Sequence, residues 1–197
     1  MWLHSYGVHL HGDQWDSERE LTRLETCDPT AVLARAWPGP CVYHVDCMAP
    51  LGDEFPWLLP RPGVDPIDAV RHAVAVTPPW PFAELVVVPV SRPADIPTAL
   101  GWMGMINARD DVVELSAVLR SWEERFGALL TGMSSSTVEL AVGEPPVTEQ
   151  ECLRVAAEHI AFCRDAFETY TGQMYTDSLP EYAARLRGEP RWRFWWD

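Results

Sequence analysis

The chain has 197 residues, and its hydrophobic and charged fractions of 47% and 22% are typical of a globular protein. Its net charge of −14 repels phosphate groups. This argues against direct binding to nucleic acids or to an anionic membrane, and it favours a basic protein partner.

Residues 1–80 are rich in proline and are expected to form an irregular part that packs on the rest of the chain. The residue pattern predicts three helices here, at Ser17–Leu24, Pro29–Ala36 and Asp65–Val76. It also predicts two short strands, at Val8–His11 and Cys41–Val45. Asp65 is placed to cap the third helix, and Pro66 suits its first position. The beginning of the chain shows no signal-peptide pattern and no apolar run is long enough to cross a bilayer, so we expect a cytoplasmic protein.

Residues 83–197 show the regular patterns of an α/β domain. The apolar run Glu84–Val90 suits a strand that is buried on both faces. After a long connection, a helix begins at Asp110 or Asp111, and its apolar residues recur every three or four positions until Gly127. Two strands follow, at Leu129–Met133 and Thr137–Val142. A helix with a capping box then begins after Thr148, and a shorter helix begins after Ser178.

The last predicted element is an aromatic strand at Arg191–Asp197. Alternation along this strand puts Trp192, Phe194 and Trp196 on one face, where burial of three aromatic rings is strongly favourable. The order of elements predicts a single-domain α/β (α+β) fold, with helices packed on a mixed β-sheet and the Trp-rich C-terminal strand in the core.

Two short segments near the N-terminus carry residue types that bind metals. His9 and His11 would project from the same face of a strand, with Asp13 close behind them, which is a spacing that can serve one metal ion. Cys41, His44 and Cys47 form a second group of this kind. A solvated loop and a partly buried strand with free thiols are the simpler interpretations of the two segments.

A third cluster is predicted on the second long helix. His159 and Cys163 are four residues apart, so that their side chains can meet as a nucleophile and its base or as two metal ligands. Glu158 and Asp165 flank this pair. The alternative interpretation is ordinary packing, because Cys163 follows the same apolar stripe as Leu153 and Ile160.

Other chemical signatures are absent from the sequence. The five cysteines form no C-x-x-C pair and are odd in number, which argues against a disulfide framework or a zinc ribbon. The sequence contains no dinucleotide-binding glycine motif, P-loop, nucleophile elbow or H-E-x-x-H motif. We therefore predict no cofactor.

Several motifs in the second half occur together in an unusual combination. They are Leu85–Val90, Gly101–Trp102 with Asn107, Trp122 with Phe126–Ala128, Thr137–Glu139, Ala157–Glu158, Phe162–Cys163 with Asp165, and the ending Trp192 with Phe194–Asp197. With these motifs, residues 83–197 resemble the family called domain of unknown function 4253. The resemblance implies a fold and a shared surface, and it supplies no reaction. Gln commonly occupies the position of His159 in that pattern, so a mechanism that needs this histidine would not be general.

Two functions of different classes follow. The first is a non-catalytic binding protein, of the immunity or inhibitor type, that covers a basic partner; its binding candidates are Trp102, Asn107, Glu139 and Trp195. The second is a small enzyme or metal-dependent protein built on the cluster of Glu158, His159, Cys163 and Asp165. The enzyme hypothesis requires these four side chains to converge in a pocket with Trp102 and Asn107.

Overall fold

Short polar signals set the ends of the helices in the computed structural model, which describes residues 2–4, 8–37, 48–52, 54–77, 83–108, 110–166 and 178–196. The helices are α1 Ser17–Leu24, α2 Pro29–Ala36, α3 Pro66–Val76, α4 Ile96–Leu100, α5 Val112–Phe126, α6 Glu149–Phe162 and α7 Leu179–Arg185. Aspartates cap α1, α2, α3 and α5, because each accepts a hydrogen bond from a backbone N–H of the first turn.

The predicted starts of the helices are confirmed. Thr148 and Glu151 form the predicted capping box of α6. Gly127 ends α5 with φ 57°, a left-handed conformation that favours glycine. Helix α4 was not predicted; it is only five residues long and follows a 3-10 turn at Pro93–Asp95, inside the stretch interpreted as a plain connection.

Five strands in the described part of the chain form one mixed sheet in the order β2-β1-β3-β4-β5. Their bounds are β1 Trp2–His4, β2 Ala83–Leu85, β3 Ala128–Met133, β4 Thr137–Val142 and β5 Arg191–Trp195. Strands β1 and β3 pair in parallel, and the other neighbours pair antiparallel. The α/β class with helices packed on a mixed sheet is therefore confirmed.

The sheet has an inner face and an outer face. Helices α5 and α6 pack against the inner face, where Val138 and Leu140 of β4 are buried. Helix α3 covers part of the outer face, with Ala69 and Ala73 against Leu129 and Ala141. The remainder of the outer face, toward β5, is not covered by α3, and this difference creates one of the two grooves described below.

The C-terminal strand contributes the aromatic core of the inner face. Trp192, Phe194 and Trp196 are each no more than 2% exposed, as predicted. Trp122 of α5 stacks on Phe194 with ring centroids 5.2 Å apart, and it meets Trp192 edge to face at 5.5 Å. The aromatic strand is therefore part of the core rather than a terminal extension.

The interpretation of Glu84–Val90 as a strand buried on both faces is wrong. Only Ala83–Leu85 forms a strand, and it lies at the edge of the sheet, where it pairs with β1 alone among the described strands. Leu85 and Val87 are 65% and 89% exposed, while Val88 and Val90 are half-buried against the core. An apolar run reports hydrophobicity but does not reveal whether a second strand and a covering helix are present.

The predicted N-terminal strands have different outcomes. Val8–His11 is not a regular strand, and only Leu10 makes a β-bridge, to Trp102. The strand predicted at Cys41–Val45 lies outside the described residues, as does Asp197, the last residue of the predicted aromatic strand. Among the helices that the structure describes, none combines the length and the apolar composition needed to cross a membrane.

The role of the aromatic strand can be tested with a pair of tryptophan variants. Trp192→Ala should lower the free energy of unfolding by about 3–5 kcal/mol, because it leaves a large cavity among Trp122, Phe126 and His159. Trp57→Ala is the matched control: Trp57 is 74% exposed, and its removal should change stability by no more than about 0.5 kcal/mol. Urea unfolding measures both values, and equal stabilities of the two variants would refute the assignment.

Candidate functional site

Glu158 is the most completely buried ionisable side chain of the predicted cluster. It lies on α6 with no exposed surface. Its Oε2 accepts hydrogen bonds from Trp122 Nε1 at 2.7 Å and from Arg125 Nη2 at 2.6 Å. Its Oε1 accepts from Arg125 Nη1 at 2.9 Å and from the backbone N–H of Leu59 at 3.2 Å. Four donors thus surround the carboxylate and leave no path for a substrate.

Arg125 of α5 completes this buried ion pair. Its guanidinium also donates to the Leu59 carbonyl at 3.1 Å and to Ser121 Oγ at 3.0 Å, and it lies over the ring of Phe126. The pair therefore connects α5, α6 and the segment that precedes α3. Sequence analysis missed Arg125, because the partner of Glu158 lies on another helix and no local spacing relates the two residues.

His159 is enclosed by aromatic rings. Its Nδ1 lies 3.0 Å from the Tyr182 hydroxyl, and its ring meets Trp122, Trp192 and Phe194 edge to face. Its Nε2 is buried and has no hydrogen-bond partner among the described residues. Burial lowers the pKa of His159 to about 3, which keeps the imidazole neutral at physiological pH.

Cys163 follows the last residue of α6 and is 1% exposed. Its Sγ donates to the backbone carbonyl of Trp195 at 3.0 Å, so the thiol links the end of α6 to β5. Cys27 and Cys152, the other cysteines that the structure describes, form no disulfide, and burial is the main cause that raises the pKa of each thiol. Neither of these two environments favours a thiolate nucleophile.

Asp165 lies apart from the other three members of the cluster, in a groove of about 520 Å³. This groove, called here the α2–α6 groove, is formed where α2, the N-terminal part of α5 and the end of α6 meet. Its polar lining comprises Arg35, Asp110, Glu114, Arg164 and Asp165, and its apolar lining includes Val32, Ile160, Phe162 and Trp196. Arg35 and Glu114 form an ion pair across it. The four predicted catalytic residues therefore do not converge.

The predicted binding residues are distributed over different environments. Trp102 is 1% exposed, donates to the Ser134 carbonyl at 2.8 Å and meets Trp196 edge to face, so it belongs to the core. Asn107 is exposed, near the α2–α6 groove but not part of its lining. Glu139 and Trp195 are half-buried and lie on the outer face of the sheet, where Glu139 borders a second groove.

The N-terminal metal candidates do not form a ligand set. His9, His11 and Asp13 are all exposed. The ring of His11 stacks on Trp15 with centroids 4.6 Å apart and an interplanar angle of 8°, which is a packing contact. Over the described ranges of the chain, no group of three or more potential metal ligands is present. Cys41, His44 and Cys47 lie outside these ranges.

The second half of the chain matches a known protein family. The family model for a domain of unknown function, DUF4253, matches residues 84–197, more than half of the chain. The chain belongs to the DUF4253 family. Neither curated proteins nor solved structures gave a match.

The matched region includes most of the site geometry. In this DUF4253 domain, Phe162, Asp165 and Trp196 line the α2–α6 groove, and Glu139 borders the outer groove. Helix α2, which supplies Val32 and Arg35 to the first groove, lies before the matched region. This groove therefore combines side chains from inside and outside the family domain.

The environment of His159 predicts a specific pH dependence. The folded-state pKa of about 3 lies below the value of about 6.5 expected in the unfolded chain. Below about pH 6.5 the imidazole binds a proton in the unfolded state but not in the folded state. The free energy of unfolding therefore falls as the pH is lowered toward 3. Between pH 7 and pH 5, protonation of this histidine in the unfolded state should lower the free energy of unfolding by about 2 kcal/mol.

Urea unfolding of the wild type and of His159→Gln at both pH values isolates that contribution. The variant keeps a side-chain acceptor for Tyr182 and should lose about 2 kcal/mol less than the wild type on acidification. His9→Gln, which removes an exposed histidine, is the control and should follow the wild-type curve. Identical pH dependence of His159→Gln and the wild type would contradict a buried neutral imidazole.

Proposed function

We propose that this protein is a non-catalytic binding protein whose acidic surface covers a basic protein partner, as an immunity or inhibitor protein does. The observation that carries the proposal is the burial of the reactive side chains. Glu158, His159 and Cys163 are each no more than 1% exposed, and each makes a hydrogen bond within the core. A catalytic group must reach the reacting atoms, and these three face protein on all sides.

The α2–α6 groove supports a role in binding. Its volume of about 520 Å³ is sufficient for one or two side chains of a partner. Phe162 and Trp196 give it an apolar floor, and its walls carry the three carboxylates and two guanidinium groups named above, which is a net negative charge. An apolar floor with acidic walls suits the long stem and charged end of an arginine or lysine side chain.

The charge of the whole chain acts in the same direction. Acidic residues outnumber basic residues by 29 to 15, and the resulting field attracts a basic protein from a distance and orients it during the encounter. The abundance of tryptophan, in contrast, adds no support. Trp37, Trp102, Trp122, Trp192 and Trp196 are all buried in the core, so these rings stabilise the fold and do not form an interface.

The proposal predicts which charges a partner should need. Proteins that co-purify with the wild type from its native host, identified by mass spectrometry, should include a basic protein. Isothermal titration calorimetry with that purified partner should then show about tenfold weaker binding to Asp110→Asn and to Asp165→Asn, and weaker binding at higher salt.

The matched control is Asp68→Asn on α3. Asp68 is exposed and lies on the other side of the sheet from the α2–α6 groove, so this variant removes the same charge without changing the groove. It should bind the partner as the wild type does. Partners that are acidic or neutral, or equal weakening by all three variants, would contradict binding through this groove.

A further inference from the structure

The second groove lies on the outer face of the sheet, beyond the edge of α3. It has a volume of about 310 Å³ and is called here the outer-face groove. Its lining comprises Thr77, Thr131, Glu139, Leu140, Glu189, Arg191, Trp192 and Arg193. The charged side chains of this lining take no part in the aromatic core on the inner face of the sheet.

Strand register places opposite charges side by side in this groove. Glu139 of β4 lies directly opposite Arg193 of β5, and the Nε of Arg193 is 3.3 Å from the Glu139 carboxylate. Arg191 projects from the same face two residues earlier on β5, and Glu189 accepts a hydrogen bond from its backbone N–H at 3.2 Å. Two carboxylates and two guanidinium groups thus border one small space, and the groove is neutral on a strongly acidic protein.

The groove also contains irregular backbone and one unsatisfied polar atom. The β3–β4 register shifts at Thr131, between Leu130 and Gly132, which is a β-bulge of the kind often found beside binding sites. Thr77 Oγ1 is buried and has no hydrogen-bond partner in the described part of the chain.

We propose that the outer-face groove binds a small zwitterion, a molecule that carries both an ammonium and a carboxylate group, as a free α-amino acid does. Arg191 and Arg193 would hold the carboxylate, for which the planar guanidinium fork is well suited. Glu139 would hold the ammonium group. The volume of about 310 Å³ matches a ligand of this size.

The mixed charge of the groove separates this ligand from simpler ones. A pure anion would meet the repulsion of Glu139 and Glu189, and a pure cation would meet that of Arg191 and Arg193. Desolvation raises the pKa of Glu139 despite the opposing effect of the two arginines. A bound ammonium group would offset this desolvation by adding a second close positive charge.

The ligand class can be tested with free L-amino acids, each added singly to the purified full-length protein. The midpoint temperature of thermal unfolding should rise with at least one amino acid, and calorimetry should confirm that this amino acid binds. The N-acetyl derivative of that amino acid lacks the ammonium group and its α-amide lacks the carboxylate, so both should bind at least about tenfold more weakly. Equal binding of either derivative, or no response to any amino acid, would overturn the proposal.

Variants of the groove locate the site. Glu139→Gln and Arg191→Gln should each weaken binding at least about tenfold, while Arg71→Gln on α3, an exposed arginine outside the groove, should have no effect. A far-UV circular dichroism spectrum equal to that of the wild type shows that each variant is folded. Amino-acid binding that survives in both groove variants would place the ligand elsewhere and refute this assignment. This test is independent of the α2–α6 groove and of any protein partner.

Discussion

An ion pair with almost no access to solvent, between Arg125 of α5 and Glu158 of α6, is the contact on which the rest of the structure depends. Removal of either partner would leave an uncompensated charge in the core, whereas the complete pair is satisfied by Trp122 and by the backbone of Leu59. Because these contacts come from three segments, the pair fixes α5 against α6 and holds the segment before α3 against both. The aromatic rings of β5 pack beside these two helices, whose relative orientation the ion pair fixes.

This arrangement changes the functional interpretation of the α6 cluster. Glu, His and Cys close together on a helix are typical of a catalytic site, but here each side chain has a separate structural partner. His159 contacts Tyr182, and Cys163 contacts the Trp195 carbonyl. The surface, in contrast, offers an acidic groove between α2 and α6 and a neutral groove on the outer face of the sheet. We therefore propose a role in recognition, with a basic protein as the ligand of the first groove and a small zwitterion as the ligand of the second.

Local signals in the sequence were sufficient to predict most elements but not their partners. Aspartate caps, Gly127, the Thr148–Glu151 box and the alternation in β5 act within a few residues, and these elements begin where predicted, although β5 ends at Trp195 rather than at Asp197. The exposed edge at Val87 and the pairing of Arg125 with Glu158 depend on the position of distant segments, which no local pattern reports. For the same reason the sequence pointed to Glu139 and Asp165 individually but not to the arginines that share their grooves.

A double-mutant cycle on Arg125 and Glu158 tests most directly the claim that this cluster serves the fold. We predict that Arg125→Met and Glu158→Met each lower the free energy of unfolding in urea by about 3–5 kcal/mol, because each leaves one buried charge alone. The double variant leaves no charge and should cost clearly less than the sum of the two single changes. Single variants with wild-type stability, or strictly additive losses, would contradict the account and reopen a functional role for Glu158.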